Sequence, residues 1–172
     1  MMKKLIIVIL ILGNYNGFIF SQAVPKFKLT PDGVKPVVLN FDASFTASLI
    51  YTRVKEWVKL ALKDPKTAVR IDKENTMIKV GVFKDKAYKI RDNNFDYWYD
   101  LEYTLTIEIK DTKCRVIFAT PEVKYKVWYN KDGSTIKKFK DAEAAFETTI
   151  NEPLTAIYKQ IKEPKKVVKD DW

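Results

Sequence analysis

Histidine is absent from the 172 residues, cysteine occurs once, at Cys114, and glycine only five times. Without histidine the chain lacks the side chain that most often serves as general base or as neutral metal ligand near pH 7. A single cysteine makes no intramolecular disulfide, so stability has to come from packing. Glycine is too sparse for a phosphate-cradling loop, and no Cys/His cluster has zinc-site spacing. A nucleophile–base pair built on histidine is excluded outright. No cofactor and no metal site is therefore expected.

Long apolar runs are scarce too. The first residues read MMKKLIIVILILGNYNGFIFSQA, with Lys3 and Lys4 ahead of an apolar stretch from Leu5 to Leu12. That is the layout of a secretory signal peptide, and the stretch is too short to span a bilayer. Cleavage is expected after Ser21 or Ala23, giving a leader at 1–21, one domain at 22–163 and a flexible tail at 164–172. No cysteine stands near either site to carry a lipid anchor. The expected product is exported, periplasmic or secreted, and does not span the membrane once the leader is gone.

Charge is present in quantity and of both signs. The formal net charge is +9, and losing the two leader lysines leaves about +7. The lysines alternate with Asp and Glu instead of clustering, which describes a solvated surface and, with export, argues against a nucleic-acid partner.

Periodicity supplies the architecture. PDGVKPVVLNFDAS begins with a Pro-Asp-Gly turn and continues as a strand with Val37, Leu39 and Phe41 on one face. Ser44 is placed to cap a helix through FTASLIYTRVKEWVKLALKD, on which Leu49, Ile50, Val54, Trp57, Val58 and Ala61 share a stripe. Asp64–Pro65 ends it. TAVRID and TMIKVGVF follow as strands about a turn at Lys73–Glu74–Asn75, then a shorter segment, KAYKIR. A long hairpin covers YDLEYTLTIEIKDTKCRVIF, and its second arm is expected to continue past Pro121 into EVKYKVWYN before a turn at Asp132–Gly133. The chain closes with a helical pattern on Phe146, Ile150, Leu154, Ile157 and Ile161, where Pro153 predicts a kink or two abutting helices. This order predicts an α+β fold, a curved antiparallel sheet with two helices packed on one face and water on the other.

The pieces LIYTRVKEWVKLAL, AVRIDKENTMIKVGV and LEYTLTIEIKDTKCRV resemble the domain of unknown function DUF4468, mostly exported proteins of Bacteroidetes with a TBP-like fold. Leu49, Tyr51 and Trp57 on the helix, the strand from Ile78 to Gly81, and the stretch from Tyr103 to Lys113 carry the likeness, which spans roughly residues 35–130. Thr112 stands where the family usually has glycine. The resemblance implies a curved antiparallel sheet backed by helices and brings no catalytic residues.

Within the hairpin, a two-residue turn at Asp111–Thr112 sets Lys110 against Lys113, Ile109 against Cys114, Glu108 against Arg115 and Ile107 against Val116. Tyr97, Tyr99, Leu101, Tyr103, Leu105, Ile107 and Ile109 then face the core. Trp98, Asp100, Glu102, Thr104, Thr106 and Glu108 form the open wall. Trp98 is either an exposed anchor of the kind enriched at binding hot spots or a ring covered by a loop or the C-terminal segment. Trp57 belongs to the core, and Trp128 to either class. The candidate binding residues are Trp98, Glu102, Thr104 and Arg115. Asp100 and Glu102, about 6.6–6.8 Å apart on one face, have the separation of a glycosidase carboxylate pair but not its shielding from water. Asp92, Asn94 and Asp96 have calcium-loop spacing, with Tyr97 and Tyr103 standing where that loop needs glycine and glutamate; a polar turn fits better.

The function these residues favour is a noncatalytic envelope protein that binds a small ligand or an envelope protein through the open face or an edge of its sheet. A structural or assembly component docking by strand addition comes second, and a small carboxylate-dependent hydrolase third. The leader generates the first test. N-terminal sequencing of native material should find a chain that begins near Gln22 or Val24, and a protein still starting at Met1 or Met2 would refute export by this route.

Overall fold

The computed structural model describes residues 23–121 and 123–164. The expected leader and residues 165–172 of the expected tail lie outside the described residues.

Among the described residues, seven strands and two long helices follow one another. A small hairpin, β1 (Leu29–Thr30) and β2 (Gly33–Val34), turns on Pro31–Asp32 with Gly33 at φ 106°, a conformation that favours glycine. Five strands make the main antiparallel sheet, in the order β3 (Val37–Asn40), β7 (Lys113–Ala119), β6 (Phe95–Lys110), β5 (Met77–Asp92), β4 (Val69–Lys73). Helices α1 (Ala47–Ala61) and α3 (Lys140–Lys162) pack on one face of this curved sheet and against each other, with a single helical turn, α2 (Pro65–Ala68), between α1 and β4. The α+β class and the placement of both helices on one face are as the sequence predicts.

The register of the β6–β7 hairpin is residue for residue the predicted one, from Lys110↔Lys113 through Glu108↔Arg115 to Leu105↔Phe118. Leu101, Tyr103, Leu105, Ile107 and Ile109 are buried, as are Cys114, Val116 and Phe118 opposite. On the open face Arg115 donates to Glu108 at 2.7 Å. That wall is less polar than β6 alone suggests, because Val38, Ile71, Met77, Phe83 and Ile117 reach it from the neighbouring strands.

Several local expectations change. Thr46, not Ser44, caps α1, accepting from the Leu49 amide at 3.2 Å. Ser44 instead bonds Asp42 through both its amide and its hydroxyl, closing a turn just ahead of the helix. On α1 the stripe narrows to Ile50, Val54, Trp57 and Val58, with Leu49 half-buried and Ala61 exposed. KAYKIR is the outer half of β5, joined to the inner half through a bulge at which Lys86 takes φ 48°. The second hairpin arm stops at Ala119, and Tyr125–Trp128 forms a short 3-10 turn. Pro121 supplies no ladder donor, and Tyr125 and Trp128 turn inward onto Phe146 at ring separations of 5.7 and 5.9 Å. Trp128 thereby joins the core. Pro153 does not split the last helix. Buried Ile150, Leu154 and Ile157 flank it and hold α3 as one element.

Polar ties fasten the layers. Tyr51 and Lys55 of α1 both donate to Asp72 of β4, at 2.5 and 2.8 Å. The Lys55 ammonium and then the Tyr51 phenol hold the Asp72 carboxyl below its usual range. Asn151 and Glu147 of α3 grip the chain at the start of β1 and just ahead of it, receiving the Phe27 and Leu29 amides at 2.8 and 2.9 Å. Removing a side chain from the buried wall should be far costlier than removing one from the open wall. Ile107→Ala is expected to lose about 2–5 kcal/mol and Thr106→Ala little, read from urea midpoints; equal losses would show that the face assignment is wrong.

Candidate functional site

The β5–β6 hairpin is longer than the layer that covers it. Each strand has sixteen residues, but burial of β6 begins only at Leu101. Residues before it form an arm, turning on Asn93 and Asn94 at φ 48° and 67°. Both lie in the left-handed region that two-residue hairpin turns demand and that asparagine tolerates. Asp92, Asn94 and Asp96 thus belong to a hairpin end, and Asp96 is engaged by Lys89 at 2.7 Å and by Arg91 at 2.7 and 3.0 Å. Those two cations hold its carboxyl well below the usual range, Arg91 foremost.

The arm carries exposed rings on both faces. Trp98 is 55% exposed, and the Lys89 ammonium lies 5.6 Å from its ring centroid. On the opposite face Phe95, Tyr97 and Tyr99 are 68%, 51% and 41% exposed. Of the tyrosines expected on the core wall, Tyr97 and Tyr99 are therefore half-open, and Tyr103 is buried. Tyr99 stacks on Tyr88 at 5.3 Å, and neither helix reaches far enough along the arm to cover Tyr97.

The four candidate residues are spread along the sheet. Glu102 and Thr104 are same-face neighbours, paired with Phe83 and Gly81. Trp98 sits about 13 Å from Glu102 along β6 and about 34 Å from the level of Arg115, which is opposite Glu108. No small ligand bridges that span, and Arg115 is already tied to Glu108. Asp100 is committed as well, because its carboxylate accepts the Lys86 amide at 2.9 Å and holds the β5 bulge. The Asp100–Glu102 pair is thus one structural acid beside one exposed acid.

Other groups were not singled out by periodicity. Glu102 lines the mouth of a cleft at the outer edge of β5, together with Trp57, Arg70, Gly81, Phe83 and Tyr103. Burial raises the Tyr103 phenol to about 12, so it stays protonated. Gly81 was the available signal. Glycine inside a β-branched strand marks close approach of another group, and a Cβ there would stand 3.2 Å from the Arg70 Nε. Among the described residues no three Asp, Glu or Cys side chains converge as metal ligands, and no helix is long and apolar enough to cross a membrane.

Comparison with known proteins agrees with this architecture. The family described as "Domain of unknown function (DUF4468) with TBP-like fold" matches residues 42–124. The crystal structure of a DUF4468 family protein from Bacteroides ovatus ATCC 8483 is similar at a TM-score of 0.50 and 16% identity, covering 86% of this chain and 95% of that one. At that identity the likeness concerns the fold. No curated protein matches.

The role given to Asp100 is testable apart from any function. Asp100→Ala should speed exchange of the Lys86 amide and cost about 0.5–1.5 kcal/mol, the usual worth of one hydrogen bond. An unchanged Lys86 amide would free Asp100 for another role.

Proposed function

We propose that this chain, which resembles DUF4468 across residues 42–124, is an exported, noncatalytic binding protein of the cell envelope that engages a protein partner through the aromatic arm. The observation that carries the reading is the set of four exposed rings on a hairpin that outruns its own core. Covered aromatic side chains bury about 150–250 Å² each, so four rings near half exposure leave about 400 Å² of such surface in water. The largest apolar patch on a monomer is about 300–600 Å² and is often functional. The rings occupy both faces of the arm, which suits a partner that grips it from two sides better than a small planar ligand. Residues 86–101 carry three cations, Lys86, Lys89 and Arg91, and three anions, Asp92, Asp96 and Asp100. An arm without net charge offers no electrostatic steering toward nucleic acid or anionic lipid.

An assembly role in the envelope is the same reading with a permanent partner. The absence of histidine and the structural commitment of Asp100 support recognition over catalysis.

The test uses Trp98→Ala in the tagged mature protein, recovered from its native envelope. Stability should stay within about 0.5 kcal/mol of wild type, as for an exposed side chain, while partner recovery falls. Unchanged recovery, or a loss of several kcal/mol of stability, would overturn the role given to the arm.

A further inference from the structure

A second surface, independent of the arm, lies on the opposite edge of the same hairpin. The β4 ladder ends at Val69↔Val80, but β5 runs on, paired with β6 from Gly81↔Thr104 to Lys84↔Leu101. Along Gly81–Lys84 the β4 side of the strand therefore has no strand partner among the described residues. Between this edge and the α1–α2 corner opens a cleft of about 750 Å³, with Leu62 and Thr67 on the helical side, Val82 and Phe83 on the strand, and Pro153 of α3 behind. Its volume falls within the range of ligand sites.

We propose that this edge takes an extended, uncharged peptide segment of a partner protein, added to β5 as a further strand. Three features of the cleft select that occupant. An uncovered strand edge presents backbone donors and acceptors in the spacing that only another extended chain matches throughout. The charged side chains in the lining are Lys63, Arg70 and Lys84 against Asp64, Glu102 and Glu152, three of each sign, and Lys84 is paired with Glu152 at 3.3 Å. That balance gives no attraction for a phosphate or for a strongly acidic or basic segment.

The wall also holds an unmatched polar group. Trp57 is 4% exposed, and its indole N–H is buried with no acceptor. A peptide carbonyl supplies the missing acceptor. The indole N–H is sealed from water in the free protein, so the occupant has to displace side chains at the wall to reach it. An unpaired buried donor is costly to keep, and an acceptor that arrives with a ligand removes that cost.

The probe is a blocked peptide, acetyl-Thr-Val-Thr-Val-Thr-Val-amide, titrated into isotope-labelled protein. The amide resonances of Gly81–Lys84 and the Trp57 indole should move together with one dissociation constant, at or below about 1 mM. Phe83 is 66% exposed, so Phe83→Lys folds normally, puts a charge at the edge, and should weaken the peptide by about fivefold or more. Trp98→Ala should leave the constant unchanged, which separates this site from the arm. Resonances that stay fixed at millimolar peptide would overturn the proposal. So would shifts that follow protein concentration without peptide, because they would make the occupant a second copy of the chain.

Discussion

The two-residue alternation of β6 is the constraint on which the rest depends. Every second side chain from Leu101 to Ile109 is buried against the helices, and every intervening one faces outward. A slip of one residue would carry Glu102 and Glu108 into the core, at the cost of burying unpaired charge, and would expose five large apolar groups. Neighbouring strands take their position from this one. β7 pairs with it so that Cys114, Val116 and Phe118 meet the same layer, and β5 so that Ile78 and Val80 do. The helices then seat their stripes on a surface already set. Phe146 of α3, edge-on to Tyr88, Phe118, Tyr125 and Trp128, is the point where sheet, loop and helix meet.

Both candidate surfaces arise from mismatched lengths. β5 and β6 are longer than the helical layer, which leaves the arm with rings on two faces. β5 is also longer than β4, which leaves four residues of edge beside a cleft. A sheet trimmed to its helices would have neither feature. Full burial ends at Leu101 on β6 and Tyr88 on β5, and the hairpin continues past both. The bulge at Lys86, fastened by Asp100, lies where the covered part of the hairpin passes into the uncovered part.

The groups with displaced ionisation are accounted for by packing and pairing. Burial raises the Cys114 thiol to about 12, which leaves it protonated and inert. Asp72 and Asp96 are lowered by the cations they tie, one fastening α1 to β4 and the other bracing the arm. Asp72 and Lys55 line one shallow pocket as an ion pair at 2.8 Å.

Local rules made much of this legible in the sequence. The register of the β6–β7 hairpin followed from alternation and a two-residue turn. The stripes of α1 and α3 followed from helical spacing, and the α+β class from the order of elements. All of these depend on neighbours in sequence, where side-chain direction is fixed by backbone geometry. Only the tertiary structure decided what each face meets. Tyr97 and Leu101 share one parity on β6, yet Tyr97 is half exposed and Leu101 fully buried, because the helices end between them. Trp98 and Arg115 share a face but stand at opposite ends of it, and the β5 edge is open because β4 stops at Val69. Parity says which way a side chain points, but the reach of distant elements decides whether anything is there to cover it.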